Sequence, residues 1–304
     1  MELTIGTRGS RLAVAQSQWV GEQIERRCPG VTIKLKTVTT KGDKITDVPL
    51  HLIGGKGLFT ETIENALLNG EIDLAVHSYK DLPSELDPRL SLACVPERQD
   101  PRDVMVFRDG IQSLEELPEG ALVGCGSLRR ICQLRRLRPD LKLCPIRGNI
   151  DTRLKKIEEE GLDGIVLAAA GLNRLGLQDR IGWRFGTKEM IPACAQGALG
   201  LEIRADRMDL KELLGALSEK TAELQIRAER SYLAAVGGGC HLPVGAYCSI
   251  DGGALELTGL LGDEDGFCFA VHTVSGTDCE AERLGSRLAE EIKRKLEEVR
   301  KNAK

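Results

Sequence analysis

A chain of 304 residues is long for a single core, so two or three domains are expected. With 41% hydrophobic, 29% charged and 3% aromatic residues it reads as a globular protein with aliphatic cores, and no run is long and apolar enough to span a membrane. The net charge of −4 is uneven. Residues 129–184 hold ten Arg and three Lys against seven Asp and Glu, a local +6 that leaves −10 for the rest. That distribution points to a local anion site and away from general nucleic-acid affinity.

In chain order, residues 3–7 (LTIGT) predict a short strand, and Ser10 can cap an amphipathic helix running to about Arg27. Residues 31–39 (VTIKLKTVT) alternate apolar and polar, as a half-buried strand does. A glycine-rich loop at 54–57 (GGKG) precedes a helix from about Thr60 to Asn69, and 73–78 (DLAVHS) predicts a buried strand ending at Tyr79-Lys80-Asp81. Strands are predicted at 103–107, 121–125, 142–146 and 164–168, with helices near 128–138 and 150–160. A strand at 197–204 and a helix near 208–217 follow. From about residue 218 the pattern becomes a long helix, a glycine run, strands at 244–250, 254–262 and 267–274, and a charged C-terminal helix. Alternating strands and helices predict α/β layers, and the last part predicts a small α+β domain.

Ten cysteines are scattered with no CxxC pair, and the N-terminus (MELTIGTRGS) lacks the basic-then-apolar pattern of a signal peptide. Reduced thiols in a cytoplasmic protein are therefore expected, most of them small buried hydrophobes. Cys240 and His241 lack the second pair that a zinc site needs, so no metal is expected. The GGKG loop is no phosphate-binding P-loop, because Leu50 stands where its first glycine belongs and Gly57 follows Lys56.

Three constellations could carry chemistry. Arg129 and Arg130 open a helix after one strand, and Arg147 and Asn149 follow the next, where helix N-termini and planar guanidinium forks favour carboxylates. Arg135, Arg136 and Arg138 lie further along the first helix, where a solvated face is expected. Asp81 ends a strand beside Lys80, suited to proton transfer or to stabilising a cation, although a strand-end Asp is more often a turn residue. His77, inside the apolar strand, reads equally as a hydrogen-bonded core histidine or as a functional group. In GGGCHLPVG (237–245) the glycines present Cys240 on a loop, either as a reachable thiol or as a structural cysteine in a tight turn.

Taken in order, TRGSRLAVAQ (7–16), TTKGD (39–43), GGKGLF (54–59), AVHSYKDLP (75–83), ERQDPRD (97–103), GSLRR (126–130), RGNIDTRL (147–154), AAAGLNRL (168–175), PACAQGALGLE (192–202) and GGGCHLPVGA (237–246) resemble the porphobilinogen deaminases over essentially the whole chain. The resemblance implies an α/β protein with two periplasmic-binding-protein-like α/β domains flanking a cleft, plus a small C-terminal α+β domain. Their expected bounds are 1–96 with 198–217, 97–197, and 218–304. It implies a cytoplasmic monomer of tetrapyrrole biosynthesis that condenses four porphobilinogen molecules, releasing ammonia and then, by hydrolysis, 1-hydroxymethylbilane.

The resemblance also assigns residues. Cys240 matches the cysteine bearing a dipyrromethane cofactor through a thioether, and Asp81 matches the catalytic aspartate with Lys80 beside it as a cofactor contact. Arg8, Ser10, Ser127, Arg129, Arg130, Arg147, Arg153 and Arg174 match positions that hold acetate and propionate groups. Asp43 and Lys56 fall on a lid loop, and Phe59 and Gln196 near the cleft. Leu52 departs from a lid lysine, and Cys194-Ala195 from an expected Val-Gly, which leaves the backbone before Gln196 open to a local difference. The alternative class is a non-catalytic anion-binding protein, against which the missing signal peptide and Cys240 both count.

Overall fold

The computed structural model of the chain describes residues 1–39, 60–238 and 242–302. Asp43, Leu52, Lys56, Phe59, Cys240 and His241, and with them the GGKG loop, lie outside the described residues. The chain divides into two compact units, Met1–Gln99 with Gly197–Glu223, and Asp100–Gln196 with Leu224–Lys304.

The first unit begins with strand β1 (Glu2–Thr7), helix α1 (Arg11–Arg27) and strand β2 (Thr32–Thr37). The Ser10 hydroxyl accepts the Ala13 N–H at 3.3 Å, satisfying one of the free donors at the start of α1 as the sequence predicts. Val20 and Ile24 face the sheet one turn apart, and Gly21 lets the helix approach β2, where a Cβ would stand 3.1 Å from Ile33. Helix α2 (Glu61–Leu68), strand β3 (Leu74–Ser78) and strand β4 (Leu90–Leu92) follow. The sheet is completed by β10 (Leu199–Arg204), with helix α6 (Met208–Gly215) after it. Strand order is β2-β1-β3-β10-β4; β1 runs parallel to β2 and β3, whereas β10 runs antiparallel to both its neighbours. Leu3, Ile5, Leu74, Val76, Leu199, Leu201 and Ile203 make its aliphatic core. The alternation in β2 does not half-bury it, and Leu35 is 39% exposed. Among the described residues it is the edge strand, with a partner on one side only.

The second unit contains β5 (Asp103–Phe107), β6 (Leu122–Gly124), α3 (Leu128–Leu137), β7 (Lys142–Cys144), α4 (Ile150–Glu159), β8 (Gly164–Ala168), α5 (Ala169–Arg174) and β9 (Trp183–Arg184). Its order is β7-β6-β8-β5-β9, with β6, β7 and β8 parallel and β5 antiparallel to β8 and β9. The two five-stranded sheets thus share one plan: three parallel strands, then an antiparallel one, then an edge strand. Helix α7 (Lys220–Ala235), the antiparallel strands β11 (Val244–Asp251), β12 (Ala254–Gly262) and β13 (Phe269–Thr277), and helix α8 (Ala281–Asn302) form the C-terminal part. Leu284, Leu288, Ile292 and Leu296 recur at helical spacing on α8 and bury against that sheet in a core of their own. Buried Tyr232 of α7 donates its hydroxyl to the Leu260 carbonyl at 2.9 Å. Two α/β sheets and a small antiparallel sheet with its helices are the mixed α/β architecture that the sequence predicts.

Candidate active site

Because β6, β7 and β8 are parallel, the residues that follow each of them leave the same edge of one sheet. After β6 come Ser127, Arg129 and Arg130; after β7, Arg147, Asn149 and Arg153; after β8, helix α5, which ends at Arg174. Asn149 caps α4, its Oδ1 accepting the Thr152 N–H at 2.9 Å. Arg153 donates from Nε to the Gly148 carbonyl at 2.8 Å. Ser127 is the first residue flanking α3, yet its hydroxyl makes no capping bond.

Arg129 and Arg130 are 5% and 6% exposed and turn onto Asp103, the first residue of β5, which is wholly buried. Arg129 Nη1 donates to Asp103 Oδ2 at 2.6 Å and to the Ile191 carbonyl at 2.7 Å. Arg130 reaches Asp103 Oδ1 through Nε at 2.9 Å and Nη2 at 2.7 Å, and the Val166 carbonyl through Nη1 at 2.9 Å. Gln196, also fully buried, donates from Nε2 to Asp103 Oδ1 at 3.0 Å and to the Pro101 carbonyl at 2.7 Å. Burial alone raises the Asp103 carboxyl, but the charges of Arg129 and Arg130 outweigh it and hold it well below the usual carboxylate range. Two guanidinium groups and one carboxylate leave these three side chains at +1. Position in the sequence shows the two arginines opening the helix; it does not show that an acid 26 and 27 residues upstream takes both. Asp103 stands in the matched stretch 97–103, but nothing about an acid at the start of an apolar strand signals a buried ion cluster.

Arg147 Nη2 is buried with no hydrogen-bond partner among the described residues, a donor that an anionic oxygen would satisfy. Burial pushes the Arg174 guanidinium down to about 10. A dipyrromethane, with its carboxylate arms, suits this donor set. The expectation of a plain solvated face for Arg135, Arg136 and Arg138 holds only in part. Arg135 and Arg136 are exposed but lie over the Phe267 and Phe269 rings, at 4.6 Å and 5.2 Å to the centroids. Arg138 is a half-buried staple, donating to Asp140, to the Leu114 carbonyl at 2.6 Å and to the Leu117 carbonyl at 3.2 Å. Its place after the last helical residue lets it reach a loop that the helical pattern cannot reveal.

In the first unit, Arg8 and Ser10 follow β1, and Lys80 and Asp81 follow β3, again the carboxyl ends of parallel strands. Tyr79, Lys80 and Asp81 form one 3-10 turn in which Tyr79 is buried and Asp81 exposed. His77 is a core histidine: its Nε2 lies 3.0 Å from Glu202 Oε2, and both residues are buried.

Six of the nine described cysteines are buried. Burial pushes the Cys94 and Cys194 thiols up to about 12 and Cys132 to about 11, so these three are poor nucleophiles. Gly245, five residues after Cys240, passes so close to Pro192 and Arg129 that a Cβ would stand 2.6 Å from the Pro192 carbonyl and 2.9 Å from Arg129 Cδ. Gly245→Ala is expected to destabilise the protein by about 1–3 kcal/mol, as overpacking does. Urea unfolding checks it, and a variant as stable as the wild type would refute the close approach.

The family described as porphobilinogen deaminase, dipyrromethane cofactor binding domain, matches residues 3–212, and the porphobilinogen deaminase C-terminal domain matches residues 223–294. This chain belongs to the porphobilinogen deaminase family. It is 44% identical over 297 residues to the porphobilinogen deaminase of Clostridioides difficile, covering 98% of this chain and 99% of that one. To the porphobilinogen deaminase of Syntrophotalea carbinolica it is 48% identical over 290 residues, covering 95% and 92%. The solved methionine binding protein MetQ aligns at TM-score 0.46 with 13% identity over 71% of this chain and 89% of that one, a level from which no argument follows. Among the described residues no helix is long and apolar enough to cross a membrane.

Proposed function

We propose that this porphobilinogen deaminase carries its dipyrromethane on Cys240 through a thioether and adds four porphobilinogen molecules to it, losing ammonia each time and releasing 1-hydroxymethylbilane by hydrolysis. That reaction places the chain in tetrapyrrole biosynthesis. The observation that carries the proposal is that Arg129, Arg130, Arg147 and Arg153 all follow the carboxyl ends of two parallel strands of one sheet, with a buried Arg147 donor that has no hydrogen-bond partner among the described residues. Each pyrrole bears two carboxylates, and carboxylates drawn out of water need charged or hydrogen-bonding partners. Bound, the dipyrromethane would supply the free α-carbon for the first ring, each later ring being joined at the free end of the growing chain. The chain's own residues do the rest. Arg8, Ser10, Lys80 and Ser127, like the arginines, hold acetate and propionate groups. Gln196 acts behind them by fixing Asp103. The Asp81 carboxylate stabilises the cation left when porphobilinogen loses ammonia, Asp43 and Lys56 serve as lid residues, and Phe59 serves as a cleft residue.

Three domains serve these roles, with bounds 1–96 plus 198–217, 97–197, and 218–304. The enzyme works as a monomer in the cytoplasm on a small-molecule substrate, with no nucleic-acid partner, in keeping with a net charge of −4.

Intact mass tests the tether. The purified protein should exceed its sequence mass by two porphobilinogen units less two ammonia and colour with Ehrlich's reagent, whereas Cys240→Ser should show neither. A tryptic adduct on any other cysteine would remove Cys240 from the role.

A further inference from the structure

Glu229 of α7 is wholly buried, and a buried carboxylate persists only where donors satisfy it. Its Oε2 accepts the backbone N–H of Ala195 at 2.7 Å, and its Oε1 accepts the N–H of Cys248 on β11 at 3.0 Å. Ala195 is the one non-glycine residue with positive φ among those described, at 63°. Left-handed backbone is unfavourable for a residue that carries a Cβ, so this conformation needs something to hold it. A glycine there would adopt it freely. The next residue, Gln196, delivers its amide to Asp103, and Asp103 holds Arg129 and Arg130.

We infer that Glu229 is a positioning residue of the arginine site, clamping Ala195 in left-handed backbone so that Gln196, Asp103 and the two guanidinium groups keep their places. The inference rests on the reading of Arg129 and Arg130 as carboxylate-binding groups. It accounts for Ala at a position where the family resemblance leads one to expect Gly: the carboxylate offsets the strain that the methyl group introduces. The same side chain ties down both elements that flank Cys240 in the sequence, since α7 carries Glu229 and β11 carries Cys248.

The test uses the holoenzyme as wild type, Glu229→Gln, Ala195→Gly and the double variant. Glutamine keeps the shape but turns one acceptor oxygen into a donor that faces an N–H. Hydrogen exchange across 192–198 should accelerate roughly ten- to a hundredfold in E229Q, the loss expected for one charge-assisted bond. KM for porphobilinogen should rise by a similar factor, with kcat changing less. A195G should resemble wild type, and added to E229Q it should recover most of both losses, because glycine removes the need for the clamp. Unchanged exchange across 192–198 in E229Q overturns the inference. So does faster exchange with KM unmoved, which would leave Glu229 a purely structural residue, or a double variant no better than E229Q. If the wild type itself fails to turn over porphobilinogen, the reading of the site falls, while exchange and its reversal by A195G still decide whether the clamp exists.

Discussion

Asp103→Ala is expected to cost about 3–5 kcal/mol of stability, because it leaves two buried guanidinium groups facing each other without their shared carboxylate. That is a large part of the roughly 5–15 kcal/mol that holds a domain folded. Asp103→Asn separates charge from shape: the amide fills the same space but returns no negative charge and turns a donor toward guanidinium N–H groups. Both variants should lose urea stability at neutral pH and recover a dipyrromethane poorly. The pH dependence follows from the depressed Asp103 carboxyl. A group held below its unfolded value, about 3.9 for Asp, contributes its full stability above that pH and loses it as the pH falls toward the folded value. The gap between wild type and Asp103→Asn should therefore be constant near neutrality and shrink below about pH 4. A gap that widens there, or an Asn variant as stable as wild type at pH 7, would show that the carboxylate charge does not hold the cluster.

Asp81→Asn should behave in the opposite manner, with catalysis falling and stability unchanged. Asp81 is exposed, and the turn that carries it is held by the buried Tyr79 and by the Tyr79 N–H, which donates to the Ala198 carbonyl at 3.1 Å. The substitution therefore removes a charge and little packing. An amide can still accept a pyrrole N–H, but it cannot offset the positive charge that develops as ammonia leaves. Loss of one such stabilising group lowers kcat on the order of a hundredfold or more. Single-turnover kinetics with porphobilinogen, beside a thermal melt, separates the two effects. A kcat within about threefold of wild type would remove Asp81 from the chemistry, given the magnitude such a group carries.

Much of this architecture is legible in the sequence because its signals are local. The apolar run of β8, the capping serine of α1 and the spacing of leucines on α8 each fix an element without reference to the rest. Three elements escape. β4 and β9 are three and two residues long, too short to show alternation, and exist because a neighbouring strand offers them an edge. α5 hides inside the apolar stretch that also makes β8, where helix and buried strand share one composition. The site divides in the same way. The arginines and the Tyr79-Lys80-Asp81 turn are visible as strand-end residues, whereas Asp103 and Glu229 are single acids whose partners lie far away in the chain. Ala195 is an intermediate case: the departure from Gly is plain in the sequence, and only the backbone angle shows what that departure strains.

The shared plan of the two sheets sets an order of events during synthesis. The antiparallel member of the second sheet, β5, emerges before the strands it joins, so that sheet has all its members once residue 184 has been made. The first sheet waits for β10, which sits between β3 and β4 and does not begin until residue 199. A nascent chain that has just delivered all five strands of the second sheet therefore still carries β3 with one open edge and β4 with no partner. Of the two five-stranded sheets, the one whose strands begin first is the one completed second, and the strand that leads into Lys80 and Asp81 stays unsealed while the arginine-bearing sheet already has its full set.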